Sequence, residues 1–310
     1  MRSMRLIFVL FVLSLVSCFK NTEEFIPNTE IGDVNNLLNK LESNKISTLF
    51  NASENTFLLG PDEAVIEVPA GALIDAKGQL VTGSVIAEYY IDKGFALDVA
   101  EGRASRTLQE DISKMFSFSV KFKQGNVLLN INPSASGINL YVPYVDHSDI
   151  NNTKLFKWND VSWATVTDGQ NQGYISTGSW NLPTENGTIF GIGYKTTVKS
   201  TGDFLIGLAK ARTDNIELCI NLPENYSSKN TLAIAVLPND KVVKRLNFEN
   251  GKFCSKEIAR GSFVKVITLS DQAGQYLYGE SSYKSSGNVV LTMVPKEKSL
   301  LEIWNSLIEL

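Results

Sequence analysis

The chain has 310 residues, enough for two ordinary domains with real cores, and its 43% hydrophobic and 20% charged composition is that of a globular protein. A formal net charge of −4 leaves no broad basic footprint for nucleic acid. The single histidine, His147, excludes multi-histidine metal sites, and the spacing of Cys18, Cys219 and Cys254 offers no CxxC zinc site. No residue set names a reaction, so the chain is read as a non-enzyme without cofactor or metal.

Residues 1–5 carry Arg2 and Arg5, which would stay on the cytoplasmic side of a membrane. Residues 6–16 are apolar apart from Ser14. That is the length of a signal-peptide core and too short to span a bilayer. Leu15-Val16-Ser17-Cys18 resembles the bacterial lipoprotein signal, in which a branched apolar residue, a small or β-branched residue and a small residue precede cysteine. The resemblance implies that residues 1–17 are a signal peptide, that the Cys18 thiol receives a diacylglycerol and that the new amine is acylated. Each buried CH₂ contributes about 0.8 kcal/mol, and two or more chains anchor stably. It places the protein at the outer membrane, lipid-anchored, on the periplasmic or the cell-surface face. The alternative is a plain secretory signal with an incidental cysteine. With Cys18 lipidated, Cys219 and Cys254 remain as an even pair in an oxidising compartment, where a disulfide and two separate thiols both fit the sequence.

Residues 18–50 read as a tether followed by a short helix. Lys20 and Glu23-Glu24 are similar to the acidic stretch that accompanies surface display in some Bacteroidetes lipoproteins, and they equally fit a solvated spacer. Across residues 31–49, Leu37, Leu38 and Leu41 recur at helical spacing, with Asp33 placed to cap the start. Strands follow at residues 56–59, 64–68 and 81–91. Pro69 ends the second of them, and turns fall at 70–73 and 75–78. Val65-Ile66-Glu67-Val68-Pro69-Ala70-Gly71-Ala72-Leu73, with Gly83 and the strand behind it, resembles the β-sandwich domain shared by zonula-occludens, netrin-receptor and ankyrin proteins. Asp75 and Gly78 make it more similar to the version in Bacteroidetes envelope lipoproteins. The resemblance covers about forty residues. It implies a β-sandwich and, from the animal proteins, a protein-interaction role.

Residues 94–112 mix Asp98, Glu101, Glu110 and Asp111 with Arg103 and Arg106, just after Asp92. Lacking calcium-loop spacing, they read as a solvated face. Met115-Phe116-Ser117 occupies a triplet that some animal members cleave as His-Phe-Ser. Met115 cannot accept a proton, so no self-cleavage is expected. Phe116, Phe118, Val120 and Phe122 alternate with Ser117, Ser119, Lys121 and Lys123, the period of a sheet with one wet face. Further strands are expected at 126–131, 138–142, 154–158, 162–166 and 189–194, with turns at 168–169 and 172–173, completing a first sandwich over 51–198. Gly191-Ile192-Gly193 has no third glycine or following helix and is not a dinucleotide fingerprint. Trp158, Trp163 and Trp180 cluster with Tyr174. Exposed, such rings would stack on sugar faces. Buried, they would be ordinary core, which is the commoner case. His147 falls in a polar loop between Asp146 and Asp149 and reads as a surface histidine.

The polar stretch 195–203 marks a boundary, and about seven strands with turns at sandwich spacing fill a second unit over 199–296. Asn221-Leu222-Pro223 and residues 259–266 are similar to the small transthyretin-like or carboxypeptidase-regulatory sandwiches of bacterial envelopes. In residues 297–310, Leu300, Leu301, Trp304, Leu307 and Ile308 form the apolar stripe of a closing helix. Glu302 and Glu309 favour docking onto the sandwich over an anionic membrane surface. The fold expected is all-β, two β-sandwich domains after a lipoprotein signal peptide, with short helices near both ends. The leading functional expectation is a non-catalytic lipoprotein that holds an envelope protein partner. The second is a glycan-binding lipoprotein using Trp158, Trp163 and Trp180, and the third a carboxylate enzyme.

Overall fold

The structure is a computed structural model and describes residues 32–42, 45–143, 152–167, 175–184, 187–211 and 214–310. It is mostly β, 57% strand against 10% helix, so the all-β expectation holds at the level of class. Among the described residues no helix is long and apolar enough to cross a membrane. The expected helix is present but shorter: α1 spans Val34–Glu42, with the Asp33 carboxylate accepting from the Asn35 N–H at 3.0 Å. The rest of that stretch is a strand, β1 (Ile46–Asn51), which pairs antiparallel with β5 (Ser84–Asp92). Ile46, Thr48 and Phe50 alternate inward with Ser47, Leu49 and Asn51, a period of two that a helix cannot use.

Between them lie β2 (Thr56–Leu59), β3 (Val65–Val68) and the short β4 (Leu73–Ile74). Next come α2 (Ala96–Ala100), β6 (Asp111–Gln124), β7 (Val127–Leu128), β8 (Asn130–Ile131), β9 (Ile138–Pro143), β10 (Thr153–Trp158) and β11 (Trp163–Thr165). The lobe closes with β12 (Ile175–Thr184), β13 (Gly187–Val198) and β14 (Gly202–Lys210). A seven-stranded sheet runs β1-β5-β6-β14-β10-β11, with β7 on β6, and a five-stranded sheet runs β12-β13-β9-β3-β2. Val85, Ala87, Phe116, Phe118 and Phe204 of the first sheet share one core with Ile66, Val68, Leu140, Val142 and Tyr194 of the second. Strand β14, which the sequence reading assigns to the second unit, pairs with β6 and β10. The polar residues before it are the corner between β13 and β14, and Phe204 stacks on Phe118 at 5.0 Å.

The second lobe holds β15 (Asn215–Asn221), β16 (Thr231–Leu237), β17 (Val242–Glu249), β18 (Lys252–Ala259), β19 (Phe263–Gln272), β20 (Gln275–Lys284), β21 (Val289–Thr292) and β22 (Lys296–Glu297), followed by α3 (Leu300–Ile308). Its eight strands run β21-β15-β18-β17-β16-β19-β20-β22. The sheet curls into a half-barrel, because Ile216, Leu218 and Phe253 from one end pack with Ala233, Val264 and Val266 from the other. Its opposite face is covered by the described helices α1, α2 and α3 through Leu37, Leu41, Val99, Ile303 and Leu307. The closing helix therefore docks as expected, and Ser299 and Glu302 form a capping box at its start.

The lobes meet through backbone as well as side chains. Ser105 N–H donates to the Val243 carbonyl at 2.8 Å, and Lys114 N–H donates to the Lys241 carbonyl at 2.8 Å. Of the charged stretch read as a solvated face, Asp92, Asp98 and the side chains of Glu101 and Arg103 are instead buried or nearly so in this junction, while Arg106 keeps part of its side chain in solvent. Lys114, 2% exposed, places its Nζ 3.0 Å from Asp92 Oδ2 and 2.5 Å from Asp98 Oδ2. Arg103 pairs with Glu101 and, at 2.9 Å, with Asp203, while Lys45 lies 2.8 Å from Glu101. Arg106 reaches Glu257 of the second lobe at 2.8 Å. Opposite charges at short spacing made burial of this stretch feasible, because each buried ion has a partner.

Candidate interaction groove

Strand alternation places Phe57, Leu59, Val65, Glu67, Asn139, Tyr141, Trp180, Leu182 and Ile189 on one face of the five-stranded sheet, the face away from the shared core. The sheet bends sharply there. Tyr141 of β9 and Trp180 of β12 lie on strands separated by β13, yet their ring centroids are 5.5 Å apart. Two glycines permit this. Trp180 is opposite Gly191, and a Cβ on Gly191 would sit 2.5–2.6 Å from three atoms of the indole. The Gly191-Ile192-Gly193 run is thus the bare backbone on which Trp180 lies.

A groove of about 1060 Å³ lies between β1, β2 and the paired ends of β12 and β13 at residues 181–184 and 187–189. Phe57, Leu182 and Ile189 line it, with Leu49 and Leu59 at its rim 67% and 60% exposed. Its charged lining residues are Glu54 and Glu67, both acidic. Glu67 Oε2 accepts from the Tyr141 hydroxyl at 2.7 Å and from Asn139 Nδ2 at 2.9 Å, and Asn139 Oδ1 accepts from the Thr197 hydroxyl at 2.6 Å. Burial, then the bond to Glu67, raises the Tyr141 phenol well above its ordinary pKa, so it stays a donor to the carboxylate. Lys195 stands over the Tyr141 ring at 5.3 Å. The result is a carboxylate fixed in position among apolar side chains, suited to hold a cation carried on an apolar ligand. The sequence signal for it is a charged residue inside the otherwise apolar run 65–68.

A smaller cavity of about 270 Å³ lies at the lobe junction, lined by Phe95, Met115, Phe116, Tyr194 and Leu310 with Lys93 and Lys241. Among the described residues no three His, Cys, Asp or Glu side chains converge as a metal ion requires.

The three tryptophans do not form a sugar platform. Trp163 is 1% and Trp180 8% exposed, on different sheets. Trp163 fills a cluster with Ile112, Phe156 and Leu205. Trp158 meets it edge-on at 5.3 Å, and the Arg103 guanidinium lies 5.2 Å from the centre of the Trp158 ring. Their bulk serves packing, so the glycan-stacking assignment is corrected. Cys219 and Cys254 face each other across β15 and β18 and are joined in a disulfide, S–S 2.06 Å. Met115-Phe116-Ser117 lies within β6. Cys18 with its signal, the tether, the turns at 168–169 and 172–173, Tyr174, and His147 with Asp146 and Asp149 lie outside the described residues. No protein-family model matches the chain, and no curated protein matches it significantly.

Proposed function

We propose that this chain is a lipid-anchored protein of the cell envelope, held at the outer membrane through Cys18, which binds a protein partner without catalysis. The groove carries this reading. It is open, lined by apolar and polar side chains with Glu54 and Glu67 as its charges, and bounded by sheet edges that no other strand covers among the described residues. The Leu15–Cys18 pattern supports the anchor, and the Cys219–Cys254 disulfide suits an oxidising compartment. We read the first lobe as a sandwich of the zonula-occludens, netrin-receptor and ankyrin type, and the second as a transthyretin-like sandwich. Supporting the first is the Pro69–Ala72 turn, where Gly71 takes a φ of 71°, followed by a hairpin in which Asp75 accepts from the Lys77 and Gln79 N–H groups.

Mass spectrometry of the mature N-terminus tests the anchor. The expected result is a diacylglyceryl thioether and an acylated amine on Cys18, with Cys18→Ser moving the protein from the membrane to the soluble fraction. An unmodified Cys18 or an uncut leader would refute it. A photo-crosslinking side chain at Leu49 tests the binding role in intact cells. A discrete adduct is expected there and not from the same group at Lys256, an exposed position on β18.

A further inference from the structure

The groove has an unusual boundary. On one side stands β2, the last strand of the five-stranded sheet, and on the other stands β12, the last strand at its opposite end. Both ends of one bent sheet thus line the same space, with no strand beyond them among the described residues. An edge strand presents alternate N–H and C=O groups outward as a template for another chain. The phase on β2 follows from its bonds. Gly60 N–H donates to the Ala64 carbonyl, so Leu59, one residue earlier, turns its carbonyl away from β3, and Phe57 does the same two residues back. The Leu59 carbonyl already accepts from the Tyr89 hydroxyl at 2.7 Å, which leaves Phe57 as the pairing position. On β12, Pro183 has no N–H to offer, so that edge guides more than it pairs.

We infer that the groove takes an extended polypeptide segment that adds as a strand beside β2, with alternate apolar side chains on Phe57, Leu59 and Leu182 and a Lys or Arg side chain on Glu67. This rests on the partner-binding reading above and specifies the partner's chemistry. Strand addition draws affinity from the main chain and specificity from alternate side-chain pockets. The side-chain preference follows from the lining, in which Phe57, Leu59, Leu182 and Ile189 alternate with polar groups such as Asn55, Asn181 and Thr188, and Glu54 and Glu67 are the charges. Tyr141 and Asn139 hold Glu67 through Oε2, so the carboxylate needs no rearrangement to accept a cation. With the Leu59 carbonyl taken, the main-chain hold on an added strand is at Phe57, and the four residues of β2 at about 3.3 Å each give roughly 13 Å of edge, the length of a segment of about four residues.

The test uses the mature full-length chain and fluorescent eight-residue peptides alternating valine and threonine, with a central lysine. Binding by fluorescence anisotropy is expected. It should weaken at least tenfold when alternate backbone nitrogens are methylated, which removes donors and keeps side chains. It should weaken about fivefold when the central lysine becomes glutamate, and Glu67→Gln should abolish that preference without lowering the melting temperature by more than a few degrees. Equal binding of methylated and unmethylated peptides would overturn strand addition. Equal binding of lysine and glutamate peptides would overturn the role of Glu67. No peptide binding, together with a Leu49 crosslink to an envelope protein, would overturn this inference and spare the binding role. Absence of both would remove the two together. A dimer by light scattering with Leu49–Leu49 crosslinks would make a second copy the occupant and overturn the inference of a foreign segment.

Discussion

Replacing Lys114 by methionine is the sharpest probe of how the lobes are joined. The side chain is 2% exposed and neutralises two carboxylates, Asp92 at 3.0 Å and Asp98 at 2.5 Å, which are 6% and 1% exposed. Methionine fills a similar space and removes the charge, leaving two buried acids with no cation between them. Breaking a buried ion pair from one side costs about 3–5 kcal/mol, because the surviving charge is left uncompensated. Asp92 retains the Gly94 and Leu97 N–H groups at 2.9 Å, so most of the penalty falls on Asp98, whose pKa burial already raises. Urea unfolding followed by tryptophan fluorescence should show a midpoint lower by roughly 1–1.7 M, taking a slope of about 3 kcal/mol/M. The loss should be smaller at pH 5 than at pH 8, since protonating Asp98 removes the uncompensated charge. Lys114→Met with Asp98→Asn should recover about half of it. A Lys114→Met midpoint within 0.2 M of wild type, or a double variant worse than the single, would refute the reasoning.

Three further outcomes follow from the same structure. Cys219→Ala with Cys254→Ala opens a link between residues 35 apart, which the chain-entropy relation values at about 3–4 kcal/mol, read as the difference between oxidised wild-type and double-variant unfolding. Gly191→Val drives a side chain into the Trp180 ring and should cost about 1–3 kcal/mol with a red shift of that tryptophan's emission, whereas Gly178→Val, in open space on β12, should leave the emission unchanged. Burial pushes the Glu101 carboxyl up to about 7 against the pull of Arg103 and Lys45. Its folded pKa is above its unfolded value of about 4.3, so its linked contribution is full at low pH and lost as pH rises through 7. Relative to Glu101→Gln, the wild type should therefore gain up to about 3 kcal/mol between pH 8 and pH 5, and a flat or opposite difference would count against it.

The strands of both lobes were legible where apolar residues alternate and a turn residue follows, as at 216–222 and 116–123, because the period of two is set by the pleat itself. What was not legible depends on pairing across distance. Residues 175–184 carry Ser, Thr, Gly and Pro with few apolar neighbours, and they form β12 only because β13 lies beside them. The charges at 92–111 look solvated in sequence, since nothing local shows that Lys114 and Asp203 come to meet them. Glu67 was visible as an odd residue in an apolar run, but its hold by Tyr141 and Asn139 comes from strand β9, seventy residues on. The tryptophans were legible as aromatic bulk, and whether that bulk faces water is a property of the sheets that cover it.

The placement of α2 shows why the two lobes behave as one body. The segment that carries it leaves the first lobe at the end of β5 and returns at the start of β6, yet Phe95, Ala96, Val99 and Ala100 are buried against Leu232, Ile234 and Leu269 of the second lobe's sheet. The apolar face of that sheet is finished by residues from three distant parts of the chain, α1, α2 and α3. The strands of the second lobe close the half-barrel interior among themselves, whereas the burial of its helix-covered face is complete only with α2 presented from the first lobe. The ions at its root, Asp92, Asp98 and Lys114, fix where it is presented. That arrangement explains a cost the sequence would otherwise have no reason to bear. Buried charges add little net stability over apolar packing, but they penalise any docking in which one of them loses its partner. Here Lys114 lies between Asp92 and Asp98, so a docking that draws any of the three away leaves a buried charge without its counter-ion.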